Sequence, residues 1–124
     1  MIDFKNKDFF KLTKTDSEGI AKKVFPLFVD GEKIIGEYKS VRDFVVFTDK
    51  RIIVVDTQGL IGKKREYSIL PYSRIQAFSI ETSDVLDLDG ELELYFSGLG
   101  QVRFEFLGHN DLLEIGRMIS EHIF

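Results

Sequence analysis

The sequence contains five basic residues whose spacing could create an anion-binding site. Three are consecutive, Lys63, Lys64 and Arg65, while Lys39 and Arg42 stand upstream of them. Lysine and arginine side chains hold phosphate and carboxylate groups through charge-assisted hydrogen bonds, and loop amides add further donors. The competing interpretation, which we favour, is a solvated loop or a set of ion pairs between subunits, because clustered charges usually face water.

A second charged segment is acidic. Its carboxylates are those of Glu81, Asp84, Asp87, Asp89, Glu91 and Glu93. The aspartates lack the regular spacing and the closing glutamate of a calcium-binding loop, so we expect a solvated turn and strand face and no metal site. Such a face could meet a basic patch on a neighbouring subunit. Complementary patches of this kind favour a head-to-tail assembly over a two-fold dimer.

The sequence supports neither catalysis nor zinc binding. His109 and His122 lie at opposite ends of the last predicted helix and the chain has no cysteine, so a zinc site is not expected. No Gly-x-Ser-x-Gly sequence presents a nucleophilic serine. The segment Gly98-Leu99-Gly100 is too short to cradle a phosphate and is typical of a hairpin turn. We therefore predict a protein that is not an enzyme and needs no metal and no cofactor.

The composition is that of one soluble globular domain. A chain of 124 residues is long enough to bury a hydrophobic core without disulfides. Its net charge of -4 argues against general nucleic-acid binding, which needs a basic surface. We find no apolar run of the length that a signal peptide or a membrane span requires, so we predict a cytoplasmic protein.

The beginning of the chain carries one helical pattern. Residues 1–14 are polar with scattered phenylalanines, and we predict them to be an N-terminal arm, either a short helix or mobile, ahead of a domain over residues 15–124. An apolar stripe at helical spacing follows Thr15. Because proline disfavours helix at the preceding residue, Pro26 should end or distort this short helix near Phe25.

The rest of the chain changes period twice. Between Lys33 and Phe106, turn residues separate seven segments that predict seven strands. Most of them alternate apolar and polar residues, whereas Phe44–Phe47 and Ile52–Val55 are short apolar runs. Their short connections indicate an antiparallel sheet. From Leu112 onward the apolar residues return to helical spacing, so a C-terminal helix should cover the exposed apolar end of the sheet.

Several segments of the chain resemble the bacterial pleckstrin-homology (PH) domain family. They are Gly31-Glu32-Lys33-Ile34-Ile35-Gly36-Glu37-Tyr38-Lys39, Val41-Arg42-Asp43, Phe47-Thr48-Asp49-Lys50-Arg51-Ile52-Ile53, Asp56-Thr57-Gln58-Gly59-Leu60-Ile61-Gly62-Lys63-Lys64, Pro71-Tyr72 and Phe78-Ser79-Ile80-Glu81-Thr82. The resemblance covers about residues 15–124. It implies a PH-like barrel or sandwich of seven antiparallel strands capped by a C-terminal helix, here with a short N-terminal helix added. It implies no assigned activity.

The resemblance also implies where the five cations lie. In a PH fold the loops after the first, third and sixth strands share one open end, which would bring Lys39 and Arg42 next to Lys63, Lys64 and Arg65. The first of these loops is a short turn, so any pocket there would be shallow.

The resemblance further implies a ring-like homo-oligomer. We therefore expect a non-catalytic interaction or scaffold protein that associates with itself, with another protein as a further candidate partner and no nucleic acid. The alternative is a weak binding module for anionic lipid head groups or small anions at the open end. Contact with a membrane surface is not the favoured hypothesis.

Overall fold

The elements of the fold lie in residues 1–16, 18–59, 64–83 and 88–124, which the computed structural model describes, the side chains of Phe10 and Glu18 excepted. The strands are β1 (Phe9–Thr15), β2 (Ile34–Lys39), β3 (Phe44–Thr48), β4 (Arg51–Gln58), β5 (Lys64–Pro71), β6 (Ile75–Thr82), β7 (Gly90–Phe96) and β8 (Gly100–Leu107). The helices are α1 (Glu18–Val24) and α2 (Leu112–Ile123), with short 3-10 helices at Phe25–Leu27 and Tyr72–Arg74.

All eight strands belong to one open sheet. Their order is β5-β4-β3-β2-β1-β8-β7-β6, so β5 and β6 are its two edges. Neighbouring strands are antiparallel, except that β1 and β8 run parallel. We call β2–β5 the first half of the sheet and β6–β8 the second half. Strand β1 joins the two halves.

The prediction of seven strands, all antiparallel, is wrong by one strand. The additional strand is β1, in residues that the sequence indicated as a helix or a mobile arm. A bulge explains why its pattern was not visible: the pairing of β1 with β8 shifts register between Phe9 and Leu12. Within that bulge Lys11 adopts a left-handed backbone with φ 57°. The extra residue breaks the two-residue alternation by which a strand is identified in sequence.

The main core lies between the two halves of the sheet. Phe47 of β3 and Phe104 of β8 meet there with their ring centroids 5.8 Å apart. Helix α2 closes the core with Leu112, Ile115 and Ile119, all buried. The predicted C-terminal helix is thereby confirmed. No helix in the described part of the chain has the length and apolar character needed to cross a lipid bilayer.

A second apolar layer covers the opposite face of the first half. Ile20 and Val24 of α1 pack there on Val46 of β3 and on Ile53 of β4. We call this side of the sheet, turned away from the main core, the outer face. The predicted short N-terminal helix is confirmed: it ends at Val24, just before the 3-10 turn that contains Pro26.

Candidate interaction surfaces

Two of the predicted cations lie where β2 turns into β3. Lys39 is the last residue of β2, and Arg42 stands in the turn that follows. Both side chains are exposed. The guanidinium of Arg42 donates a hydrogen bond to the backbone oxygen of Gly59, just after β4. This contact joins the turn after β2 to the loop after β4, as the resemblance implied.

The other predicted cations belong to β5. Lys64 is in register with Gln58, and Arg65 follows it, so both stand at the same end of the first half as Arg42. Lys63 lies outside the described residues. Whether these cations bind an anion stays a prediction.

The resemblance also implied that the loop after β7, which is the sixth predicted strand, lies beside the cations. Ser97 and Leu99 instead line a separate depression with Leu70, Pro71 and Arg74.

A groove of about 670 Å³ runs along the basic end of the first half, between β1 and the turn after β2. Its cations are Lys39, Arg42 and Lys11. Lys11 is a residue that the sequence analysis missed, because only the bulge in β1 brings it to the groove. The only indication of Lys11 in the sequence was that it lies in the polar segment of residues 1–14, to which no function was assigned.

The groove is also lined by the carboxylates of Asp8 and Asp43, and that of Asp43 is held by partners within the protein. It accepts the backbone N–H of Thr57 at 3.0 Å and pairs with the Lys7 ammonium at 3.1 Å. Lys7 also contacts the carboxylate of Asp56. Burial alone would lower the pKa of Lys7, but its hydrogen bonds to Asp56 and Asp43 outweigh this and hold that pKa above its ordinary value.

The space between β5 and β1 at this end is filled by the first residues of the chain. Ile2 and Phe4 are buried members of the main core. The backbone N–H of Ile2 donates to the hydroxyl of Ser68 in β5 at 3.1 Å, and Phe4 packs on Phe9 of β1. An anion at this end would therefore have to bind in the groove between β1 and the turn after β2, and not between the halves of the sheet.

Three glutamates form a row across the outer face of the second half. Glu81 of β6, Glu91 of β7 and Glu105 of β8 are in direct register across three strands. Like charges in facing positions repel each other. The guanidinium of Arg103 lies 2.9 Å from the Glu91 carboxylate and 4.0 Å from that of Glu105. Burial and the neighbouring carboxylates of Glu93 and Glu81 raise the pKa of Glu91.

The remaining acidic residues are less informative. Asp84 and Asp87 lie outside the described residues. Asp89 accepts the backbone N–H of Gly108 at 2.8 Å and so fixes a turn.

A shallow apolar depression adjoins the acidic row on the same face. Ala77, Tyr95 and Gln101 form another row, four residues along each strand from the acidic row, and they are again in direct register. With neighbouring side chains they line a depression of about 320 Å³. Tyr95 is 51% exposed, which is high for an aromatic residue in the middle strand of a three-stranded half.

An exposed apolar segment follows α1, on the outer side of the first half. We call residues Phe25 to Val29 the apolar loop. Phe25 is 51% exposed, Leu27 39% and Val29 55%. The rings of Phe25 and Phe28 pack edge to face with centroids 5.4 Å apart. Phe28 packs half-buried against the layer beneath α1, while Phe25, Leu27 and Val29 stay exposed because α1 ends at Val24.

The apolar loop is held in place by an enclosed ion pair. The carboxylate of Glu32 has no exposed side-chain surface and pairs with the Arg51 guanidinium at 2.8 Å. It also accepts the hydroxyl of Thr48 at 2.6 Å and the backbone N–H of Val29 at 3.1 Å. Arg51 donates a further hydrogen bond to the backbone oxygen of Leu27. Burial would raise the pKa of Glu32, but the hydrogen bonds from Arg51 and Thr48 hold it below its ordinary value.

Four exposed lysines flank the apolar loop. Lys22 and Lys23 lie in the last turn of α1. Lys33 and Lys50 lie at the turn between β3 and β4, where the backbone N–H of Asp49 donates to the carbonyl of Lys33 at 2.9 Å. Within the part of the chain that the structure describes, none of the four ammonium groups pairs with a carboxylate.

The two histidines stay apart. His109 lies in the turn before α2, and His122 lies in its last turn with its ring centroid 5.3 Å from that of Tyr72. Among the residues described, no three histidine, aspartate or glutamate side chains converge as a metal ion would require.

Comparison with known proteins gives one consistent family. The family model described as bacterial PH domain matches residues 3–123. The uncharacterized protein YjqA of Bacillus subtilis (strain 168) is 42% identical over 96 residues, which are 76% of this chain and 77% of YjqA. The uncharacterized protein YozO of the same organism is 35% identical over 103 residues, 83% of this chain and 89% of YozO.

Solved structures agree with the family match. A DUF1696 family protein with a pleckstrin-homology domain from Shewanella loihica PV-4 is 32% identical, with a TM-score of 0.73 over 93% of this chain and 99% of that one. A pleckstrin homology domain from Shewanella amazonensis SB2B is 36% identical, with a TM-score of 0.59 over 89% of this chain and 90% of that one. The predicted PH fold is thereby confirmed.

Proposed function

Because the chain belongs to the bacterial PH domain family, we propose that it is a non-catalytic interaction or scaffold protein that works as a ring-like homo-oligomer. One observation carries the proposal. The sheet is open, and within the described residues no further strand pairs with the free sides of β5 and β6. Unpaired strand edges are ready templates for pairing with another chain.

The two edges match each other. Strands β5 and β6 both have eight residues. Within one chain β5 and β6 run parallel, so β6 of a next copy that continues the sheet with its outer face on the same side runs parallel to β5. Pro71, which has no N–H to donate, stands at the end of its strand, where it interrupts the pairing least.

A contact between two different edges has a consequence for the assembly. It is head-to-tail, so each added copy presents a fresh edge until the assembly closes into a ring.

Light scattering on the purified protein at micromolar concentration in moderate salt tests the proposal. We expect a mass that is a multiple of the monomer mass, and a strictly monomeric protein would refute it.

A second candidate function rests on the groove. Its cations Lys11, Lys39 and Arg42 have no carboxylate partner among the described residues, and Val41 beside them is 99% exposed. This arrangement supports weak binding of small anions or of anionic lipid head groups.

Two probes distinguish the sources of the anion. Inorganic phosphate tests a soluble anion, and phosphatidylserine vesicles, compared with neutral phosphatidylcholine vesicles, test a lipid head group. If the groove binds either, Lys39→Ala with Arg42→Ala should abolish binding, while Lys64→Ala with Arg65→Ala should lower it less. Failure of the wild-type protein to bind both probes would exclude this candidate.

A further inference from the structure

The apolar loop carries buried and exposed side chains next to each other. Phe28 is half-buried and packs into the layer beneath α1. Phe25, Leu27 and Val29 stay exposed. These three side chains, on five consecutive residues, form an apolar patch that faces solvent. Exposed apolar patches on a folded protein are typical of interaction sites.

The loop is held in one conformation by hydrogen bonds to its backbone. Arg51 donates to the carbonyl of Leu27, and Glu32 accepts the N–H of Val29. Within the loop, the N–H of Phe28 donates to the carbonyl of Phe25 at 3.0 Å. An ordered segment loses little conformational entropy when it binds. The fold itself therefore keeps these apolar side chains in water, where an apolar medium would be more favourable.

Positive charge flanks the loop on both sides. Lys22 and Lys23 precede it in the last turn of α1. Lys33 and Lys50 lie on the other side, because Arg51 joins the turn between β3 and β4 to the backbone of the loop. The lysine side chains are exposed, and the described residues give none of them a carboxylate partner.

Few carboxylates offset these lysines. The described carboxylates beside the loop and the turn between β3 and β4 are those of Asp30, Glu32 and Asp49. Glu32 is neutralised by Arg51 at 2.8 Å, and Asp49 accepts the backbone N–H of Lys33 at 3.0 Å. The four lysines thus outnumber the two other carboxylates. The surface around the loop is positive, although the chain as a whole has a net charge of -4.

The acidic row lies on the opposite side of the molecule. The main core is enclosed between the two halves of the sheet, so their outer faces point away from each other. Glu81, Glu91 and Glu105 are on the outer face of the second half, whereas the loop belongs to the outer side of the first half. An anionic surface would therefore attract the molecule by the side of the loop and repel it by the side of the acidic row.

We propose that the apolar loop is a docking site for an anionic lipid bilayer. Phe25, Leu27 and Val29 enter the boundary between the head groups and the acyl chains, where their apolar surface leaves water. The lysines have long apolar stems that let their ammonium groups reach back to the lipid phosphates. Each lysine held near an anionic surface strengthens the binding.

A bilayer fits the loop better than a second copy does. The acidic row of a second copy would attract the lysines, but a row of carboxylates gives the exposed Phe25 and Leu27 no apolar surface to enter. A bilayer offers negative charge and an apolar layer together. Docking of the loop on a bilayer requires no self-association.

The loop is also separate from the groove. Arg51, which holds the loop, begins β4, and Gln58, in register with Lys64 at the basic end, is the last residue of β4. A strand of this length spans about 25 Å. The two surfaces can therefore be tested one at a time.

Tryptophan fluorescence tests the contact, because the chain has no tryptophan of its own. Phe25→Trp reports on the loop and Val41→Trp on the groove. The matched control is Tyr95→Trp, which replaces an equally exposed aromatic residue on the opposite outer face. With vesicles of phosphatidylglycerol and phosphatidylcholine, only the emission of Phe25→Trp should shift to shorter wavelength and be quenched by brominated lipid. Vesicles of phosphatidylcholine alone should give little shift.

Co-sedimentation with the same vesicles tests the lysines. The loop-lysine variant combines Lys22→Gln, Lys33→Gln and Lys50→Gln. It should bind about a hundredfold more weakly than wild type, because each lysine near an anionic surface contributes about fivefold. Circular dichroism checks that every variant is folded.

The charge-matched control removes three lysines at the basic end of the first half. It combines Lys11→Gln, Lys39→Gln and Lys64→Gln, so its net charge equals that of the loop-lysine variant. We expect it to bind the vesicles much as wild type does. Equal losses in the two variants would mean that only net charge matters and would overturn the docking of the loop.

The other outcomes are equally distinct. A wild-type protein that ignores phosphatidylglycerol vesicles would refute the docking site. A response of Val41→Trp without one of Phe25→Trp would place the bilayer at the groove and would also overturn it. So would a loop-lysine variant that binds vesicles like wild type but loses mass in light scattering, because the loop then contacts a second copy. A monomeric wild type whose loop reporter responds would refute self-association and support the docking site.

Discussion

The two halves of the sheet differ in the number of faces that are covered. In β3 every residue is buried, because the main core lies on one side and α1 on the other. In β7 burial alternates. Leu92, Leu94 and Phe96 are buried, while the residues between them lie on the outer face of the second half, over which no described segment packs. Strands covered on both faces are apolar throughout, and strands covered on one face alternate. The difference shows which surface of the protein is left for a partner.

Truncation on the two outer faces should have unequal costs. Ile53→Ala removes a buried side chain beneath α1 and should lower the free energy of unfolding by about 2–5 kcal/mol. The matched change on the outer face of the second half is Gln101→Ala, which should alter the free energy of unfolding by about 0.5 kcal/mol or less. Urea denaturation of dilute protein measures both. Equal losses would mean that the two outer faces are not differently covered.

The enclosed ion pair gives the next largest effect. Arg51→Ala leaves the Glu32 carboxylate without its main partner, and because Arg51 keeps some contact with water we expect a loss of about 2 kcal/mol. Lys50→Ala, next to it and exposed, is the control and should be near neutral. Urea denaturation gives the stabilities, and limited proteolysis should show faster cleavage near Leu27 in the Arg51 variant alone. Unchanged cleavage would indicate that the pair does not order the apolar loop.

Helix α2 covers the inner side of the second half, and the hydroxyl of Tyr38 holds the start of this helix against the sheet. Tyr38 donates a hydrogen bond to the Asp111 carboxylate and accepts the Asp111 backbone N–H at 2.8 Å. Tyr38→Phe should cost about 1–2 kcal/mol, since both groups lose a partner in a partly buried place. Tyr95→Phe removes an exposed hydroxyl and should be neutral in dilute solution. Equal melting temperatures of the two variants would contradict this assignment.

The smallest effect should be in the pH dependence. The pKa of Glu91 is raised, so the native state takes up this proton at a higher pH than the unfolded chain does, and acidification relieves a destabilising charge. In dilute solution Glu91→Gln should melt above wild type near neutral pH, and the difference should shrink as the pH falls through the raised pKa toward the ordinary value of 4.5. A difference that grows on acidification would contradict the raised pKa.

Glu32 should behave in the opposite way. Its pKa is held below the ordinary value of 4.5, so its stabilising contribution is complete above that value and is lost as the pH falls through the lower pKa of the folded state. The control variant Glu32→Gln should therefore be less stable than wild type near neutral pH, with a gap that closes only in strong acid.

The local elements were mostly predictable, and the exceptions have physical causes. The strands β2 to β8 and helix α2 follow from periodicity, because each has one or two buried faces. Strand β1 was missed because its bulge breaks that pattern. The end of α1 near Phe25 was predictable from Pro26, but the spacing of the apolar residues does not show that Leu27 stays exposed after the helix ends.

The sequence by itself determined the period of each segment, the positions of its charges and the resemblance to the PH fold. The tertiary structure decided which strands are edges, that Lys11 joins Lys39 and Arg42 at one groove, and that Glu81, Glu91 and Glu105 form one row. It also decided that α1 covers one outer face, while no segment among the described residues lies over the other. These properties depend on pairings between residues far apart in the chain, and local periodicity carries no information about which distant strand or helix will pack against a given face.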